Sequence, residues 1–326
     1  MTKLISLLLA LSLVLSLSLR ALGEETTLTD QTGRQVTLME APERIVSGYY
    51  ISSSALIALG LSDKLVGIEA KAAKRPIYSL SAPELIDLPN VGTAKEFDLE
   101  GCIALEPQLV ILPAKLKSAA ETLEGLGFPV LLVNPESGQQ LEEMISLLGQ
   151  ATGTQDRAEE LLGFIANQRE SLDNLMAEAE KPRVYLAGNS ALLSTAGSNM
   201  YQSDMMVLAG GENVAAQIED SYWADISYEQ LLAWNPEYIV LASDASYTPE
   251  DVCADPNLAD CDAVKNGNVI QLPGDAEAWD SPVPSGILGS VWLASALHPD
   301  LMPESERDAI INQFYETFYG FTYREA

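Results

Sequence analysis

The sequence predicts an α/β protein of two lobes, each with a central, mostly parallel sheet flanked by helices, the lobes joined by one long rigid helix. Three observations predict it. Buried-type strands alternate with helical runs in the first part of the chain, and the alternation restarts after Pro182. Between the two parts, 154–181 reads as one helix without a proline. The segments Glu100 to Leu112 and Glu229 to Leu241 match without gaps, so each part carries the same glutamate, helix, proline and strand.

The long helix rests on Leu161, Leu162, Phe164, Ile165, Leu172, Leu175 and Met176, which form one apolar stripe on a 3.6-residue period. Thr154 is its candidate N-cap and Pro182 its stop. At 1.5 Å per residue the span reaches about 40 Å, enough to cross one lobe and support another. The expected organisation is a signal peptide over 1–23, a first α/β lobe over 24–153, the inter-lobe helix over 154–181 and a second α/β lobe over 182–326. The signal peptide rests on Lys3, the apolar run Leu4 to Leu19 and the small-x-small site Ala21-Leu22-Gly23. No cysteine follows that run, so no lipidation site is expected and the mature chain should be soluble and exported.

Within the first lobe, a short hairpin around Gly33 is followed by strand RIVSGY, a helix from Ser53 to Leu59 and strand KLVGIEA. Residues 71–89, rich in proline and basic groups, read as an irregular surface loop. A helix through Ala104, strand Leu109 to Leu112, a helix from Ser118 to Leu126, strand PVLLV and a helix from Gln139 to Leu148 complete it. The second lobe repeats the scheme with strands RVYLAG, YIVLA and NVIQL. Its helices run from Ser203 to Leu208, Pro284 to Leu297 and Ser305 to Tyr319.

The formal charge of −29, or −31 once Lys3 and Arg20 leave with the signal peptide, repels nucleic-acid backbones and anionic membranes. Three cysteines are too few for a disulfide scaffold. Cys253 and Cys261, eight apart in a polar loop, can close one small disulfide, whereas Cys102 reads as a buried free thiol. The single histidine, His298, reads as structural, which leaves no several-histidine metal site. There is no Ser/His/Asp set and no phosphate-cradling glycine loop, so no catalytic residues are assigned.

Ligand contacts in a two-lobed α/β body belong after the C-terminal ends of strands. That rule selects Tyr49 and Tyr50, Lys115 and Lys117, Ser190, and Asp244 with Tyr247. Arg75 joins them from the basic loop, with Tyr222, Trp223 and Trp279 as aromatic candidates. Neighbouring strand residues face opposite ways, so at most one of Tyr49 and Tyr50 is expected to touch ligand. Trp223 and Trp279 suit packing as well as binding. Only 18 residues are basic, so their grouping in these loops points to an anionic ligand, with aromatics stacking on its flat or apolar part.

Several stretches in order carry a resemblance: TDQTGRQVTL, APERIVS, ALGLSDKLVGI, LPNVGT, the Glu100 to Leu112 block, LAGGENVA, ADISYEQLLAWNPEYIVLA, AVKNGNVIQLP and WLASALHPD. With these the chain resembles the substrate-binding proteins of ABC importers, in the group that carries ferric siderophores, haem and cobalamin. The resemblance implies a monomer of two lobes on a rigid helix, holding a ferric chelate, haem or corrinoid in the cleft as cargo rather than cofactor. It implies delivery to a membrane permease dimer with its cytoplasmic ATPase. Glu100 and Glu229 match the glutamates that dock onto permease arginines. Gram-positive members carry a lipidated cysteine that is absent here, which favours a periplasm over free release. The competing classes are a two-lobed exported chelatase-like enzyme and a non-transport secreted binding or adhesive protein.

Overall fold

Short Val/Ile/Leu runs ended by Gly, Pro or polar residues become strands buried on both faces, which is the composition a parallel sheet between helices requires. The computed structural model describes residues 25–219 and 223–323. The expected signal peptide and Tyr222 lie outside the described residues.

Strands β1 (Thr26–Thr29) and β2 (Gln35–Leu38) pair antiparallel across a turn in which Gly33 takes φ +85°. Asp30 in that turn accepts from the Arg34 guanidinium and from the Leu132 amide, tying the hairpin to the first sheet. That sheet comprises β3 (Ile45–Ser47), β4 (Leu65–Ile68), β5 (Leu109–Pro113) and β6 (Val130–Val133). All are parallel in the order β4-β3-β5-β6. Around it lie α1 (Tyr50–Ala58), α2 (Pro76–Ser81), α3 (Leu99–Ala104), α4 (Lys117–Gly125) and α5 (Gly138–Thr152).

Helix α6 (Gln155–Leu175) leads into the second sheet. There β7 (Arg183–Ala187), β11 (Tyr238–Leu241) and β12 (Val269–Gln271) run parallel. The two-residue strands β8 (Ser194–Thr195), β9 (Glu212–Asn213) and β10 (Ala224–Asp225) extend it, β8 and β10 antiparallel. Its helices are α7 (Tyr201–Leu208), α8 (Tyr228–Trp234), α9 (Pro249–Cys253), α10 (Asp262–Asn266), α11 (Ile287–Leu297) and α12 (Glu304–Phe318). The expected α/β class with two sheets is therefore present.

Strand alternation sorts the core into three regions. In β5, Leu109 and Ile111 face one way and Val110 and Leu112 the other; in β7, Val184 and Leu186 oppose Tyr185 and Ala187. The outward residues of each sheet pack under that lobe's own outer helices. The inward residues of both sheets join one continuous apolar body with α1, α5, α6, α7, α11 and α12. The two lobes thus share their largest core.

Four expectations need correction. The inter-lobe helix is shorter than the 154–181 span, about 31 Å for its 21 residues. It stops because Met176 leaves helical geometry and buries its side chain against Gly210, where a Cβ would lie 2.9 Å from the Met176 sulfur. Thr154 gives no side-chain cap; its hydroxyl pairs with Thr152 at 2.9 Å. Residues 71–89 are not an irregular loop but successive helical turns, Ala72–Lys74, α2 and Pro83–Asp87, with Pro76 and Pro83 each seated at a helix start where the missing N–H costs nothing. Cys253 and Cys261 are free, because Cys253 is exposed at the end of α9 while Cys261 is buried in the outer core of the second lobe.

Candidate functional site

A cleft of about 420 Å³ opens between the C-terminal ends of the two sheets. The first lobe contributes Tyr49, Tyr50, Glu69, Lys71 and Arg75; the second contributes Asp244, Ser281 and Pro282. Both tyrosines line it, where the sequence led to the expectation that at most one would touch ligand. Strand β3 ends at Ser47, so Tyr49 sits at the N-cap of α1 and Tyr50 begins the helix, and alternation no longer separates them.

Arg75 is the half-buried cation of this wall. Its guanidinium carbon lies 3.4 Å from the Tyr50 ring centroid, a cation–π stack, and its Nε–H is buried without an acceptor. Glu69, just past β4, does not neutralise it by contact. Its carboxylate accepts from Ser53 at 2.6 Å and Tyr78 at 2.5 Å. Burial raises the Glu69 pKa, and those hydroxyls pull it part of the way back. The Tyr49 phenol is likewise pushed up by burial and by Glu136, with Arg75 opposing. Tyr50 donates to Glu277 of the second lobe at 2.9 Å.

Of the residues selected from sequence, Tyr49, Tyr50, Arg75 and Asp244 are brought together at this cleft. Trp279 is not. It is 1 % exposed, donates its indole N–H to the Tyr315 hydroxyl at 2.8 Å and packs on Tyr323, so it is a core residue. Lys115 and Lys117 are exposed on the turn into α4 and do not line the cleft. Trp223, Ser190 and Tyr247 gather instead at the end of β7. There the Trp223 ring lies over Gly188, where a Cβ would approach it to 3.0 Å. Tyr247 donates to the Gly188 carbonyl at 2.6 Å, and burial pushes its phenol up to about 12.

The buried acids Glu69 and Glu277 were missed by the sequence reading. Their signal was a carboxylate among apolar and small residues, in GIEA and DAEAW, where burial without a partner is expensive. A second hollow of about 290 Å³ between α5, α6, α7 and α11 contains Arg169, but Glu142 pairs with that cation at 3.0 Å. Arg75 and Lys71 of the first cleft, by contrast, have no ion pair among the described residues.

Comparison with known proteins agrees with this architecture. The periplasmic binding protein family matches residues 45–276. The molybdate-binding protein MolA of Haemophilus influenzae is 28% identical, covering 99% of this chain and 98% of its own. A vitamin B12-binding protein of Salmonella choleraesuis is 28% identical over 52% of this chain and 64% of its own. Among solved structures, a periplasmic solute-binding protein from Veillonella parvula superposes with a TM-score of 0.81 at 26% identity, covering 93% of this chain and 95% of that one. The molybdate-bound structure of MolA gives 0.80 at 24% identity, covering 92% and 99%. With the family matched across most of its length and both sheets facing one cleft, the chain belongs to the periplasmic binding proteins, the substrate-binding components of ABC importers, and is not an enzyme.

Proposed function

We propose that this protein reversibly captures an anionic metal species in the inter-lobe cleft and hands it to a membrane permease, with molybdate the first ligand to test. The observation that carries the reading is Arg75, which lines the cleft stacked on Tyr50 without an ion pair among the described residues, in a chain whose net charge is −29. Lys71 adds a second cation to the same wall, and the two tyrosines supply polarisable faces and a hydroxyl at Tyr49. Resemblance to a molybdate-binding relative over nearly the whole chain supports an oxyanion. The same arrangement suits the carboxylate or catecholate oxygens of a ferric chelate, the propionates of haem and a corrinoid, which form the next ligands to test. Asp244 and Glu69 in the wall set the orientation, with the ligand's oxygens towards Arg75 and Lys71.

The proposal extends to the chain's organisation. Residues 1–23 are a signal peptide, 24–153 and 182–326 are the lobes, and 154–181 joins them. The mature monomer works in a periplasm, and Glu100 and Glu229 dock it onto the permease. Calorimetric titration of residues 24–326 with molybdate, and then with ferric chelates, haem and cobalamin, tests the ligand. Saturable binding by one class is expected. Arg75→Ala should weaken it by about 10- to 100-fold, the scale of a hydrogen bond to a charged group. Silence towards all of them, or full affinity in Arg75→Ala, would overturn the reading.

A further inference from the structure

Glu277 lies between β12 and α11 and is 2 % exposed. Three hydroxyls donate to its carboxylate. Tyr50 at 2.9 Å and Ser54 at 2.6 Å reach Oε1 from α1 across the lobe boundary, and Ser285 at 2.6 Å reaches Oε2. The titratable groups facing it are the phenols of Tyr50, Tyr315 and Tyr319, with Arg75 on the Tyr50 ring. Burial raises its pKa, and the hydroxyls offset part of that.

Stability alone does not account for a carboxylate in this place, because taking its charge out of water costs more than an amide of the same shape would. The carboxylate does what the amide cannot: its two oxygens accept from all three hydroxyls. The Tyr50 phenol is then directed at Glu277, and the ring plane is fixed. That plane carries the Arg75 guanidinium, which among the described residues makes no hydrogen bond or ion pair of its own. The orientation of Arg75 is therefore set by Tyr50, and that of Tyr50 by Glu277.

We infer that Glu277 is a positioning residue of the binding cleft, a second-lobe carboxylate that fixes the Tyr50 ring in the first lobe and so presents Arg75 to an oxyanion. The inference rests on the proposed anion-binding role of the cleft. Its test compares Glu277→Gln, Tyr50→Phe and the double variant by calorimetric titration with sodium molybdate and by the ¹⁵N–¹H resonance of the Arg75 Nε. Each single variant should weaken molybdate by about 10-fold, the scale of one such bond. The double variant should bind no more weakly than either single one, because both act through one hydroxyl. Glu277→Gln should melt no lower than the wild type, a pattern that separates positioning from simple support of the fold. The Arg75 resonance should move towards the position of a free arginine in both variants. Wild-type protein that ignores molybdate, with the resonance moving as expected, would count against the ligand assignment alone. A resonance unmoved in both variants, or additive losses of affinity, would overturn the inference.

Discussion

Glu106 and Asn235 occupy the same place in the two halves, each closing a helix just before a proline, and both are left-handed, with φ of +46° and +44°. Asparagine is at ease there, and Asn235 also exchanges two hydrogen bonds with Asp262, at 2.7 and 2.9 Å. Glutamate pays the steric penalty of a Cβ near the following carbonyl without that return. Glu106→Asn should stabilise the protein by about 1 kcal/mol, a rise of about 2–4 °C in melting temperature. A lower midpoint would mean that the glutamate makes a compensating contact. The prolines were legible in the sequence, but the sign of φ was not, because nothing about Glu106 announces it. The same limit explains the site. Tyr49, Tyr50, Arg75 and Asp244 were legible from strand ends and scarce charge. Trp279 was not, because an indole that packs on Tyr323 and one that stacks on a ligand look alike in sequence.

At the level of elements, the internal repeat extends further than its glutamates. Asp98 caps α3 by accepting from the Gly101 amide, and Ser227 caps α8 by accepting from the Gln230 amide, so Glu100 and Glu229 stand at the same turn of equivalent helices. Both are exposed. At the α8 terminus, backbone hydrogen bonding and Ser227 hold the Glu229 carboxyl below its ordinary range. Such glutamates favour the positive end of a helix by about 0.3–1 kcal/mol, which accounts for each one singly. Their recurrence on both lobes fits two-point docking on paired basic groups. Reversal of both, Glu100→Arg with Glu229→Arg, should leave calorimetric ligand binding intact and abolish cellular uptake; normal uptake by the double variant would remove the docking role. Helix-strand alternation made these elements legible. The turns over 71–89 were hidden because their prolines mark helix starts as readily as breaks.

The whole molecule depends on how firmly the lobes are held. The long helix was legible as a connector, but its sequence does not show that the strongest restraint comes from elsewhere. Both sheets turn their inner faces into one apolar body, and α12, late in the chain, packs back across it. Phe164 of α6 meets Phe314 and Phe318 of α12 at 5.3 and 5.9 Å. Arg157 of α6 donates to the Ala58 carbonyl of α1 at 3.2 Å and to the Thr317 carbonyl, while its guanidinium covers Phe318. Tyr319 hydrogen-bonds Ser54 at 2.8 Å and, through its carbonyl, Ser81 at 2.8 Å. Wide hinge closure would require these first-lobe contacts to slide against a close-packed interior, which resists continuous deformation. Ligand should therefore be accommodated by side chains at the cleft, Arg75 and Tyr49 foremost, with little movement of the lobes. Small-angle scattering with and without saturating ligand should give superimposable curves. A marked compaction would show that the shared core yields, and that the spacing of Glu100 and Glu229 is set by ligand rather than by the fold.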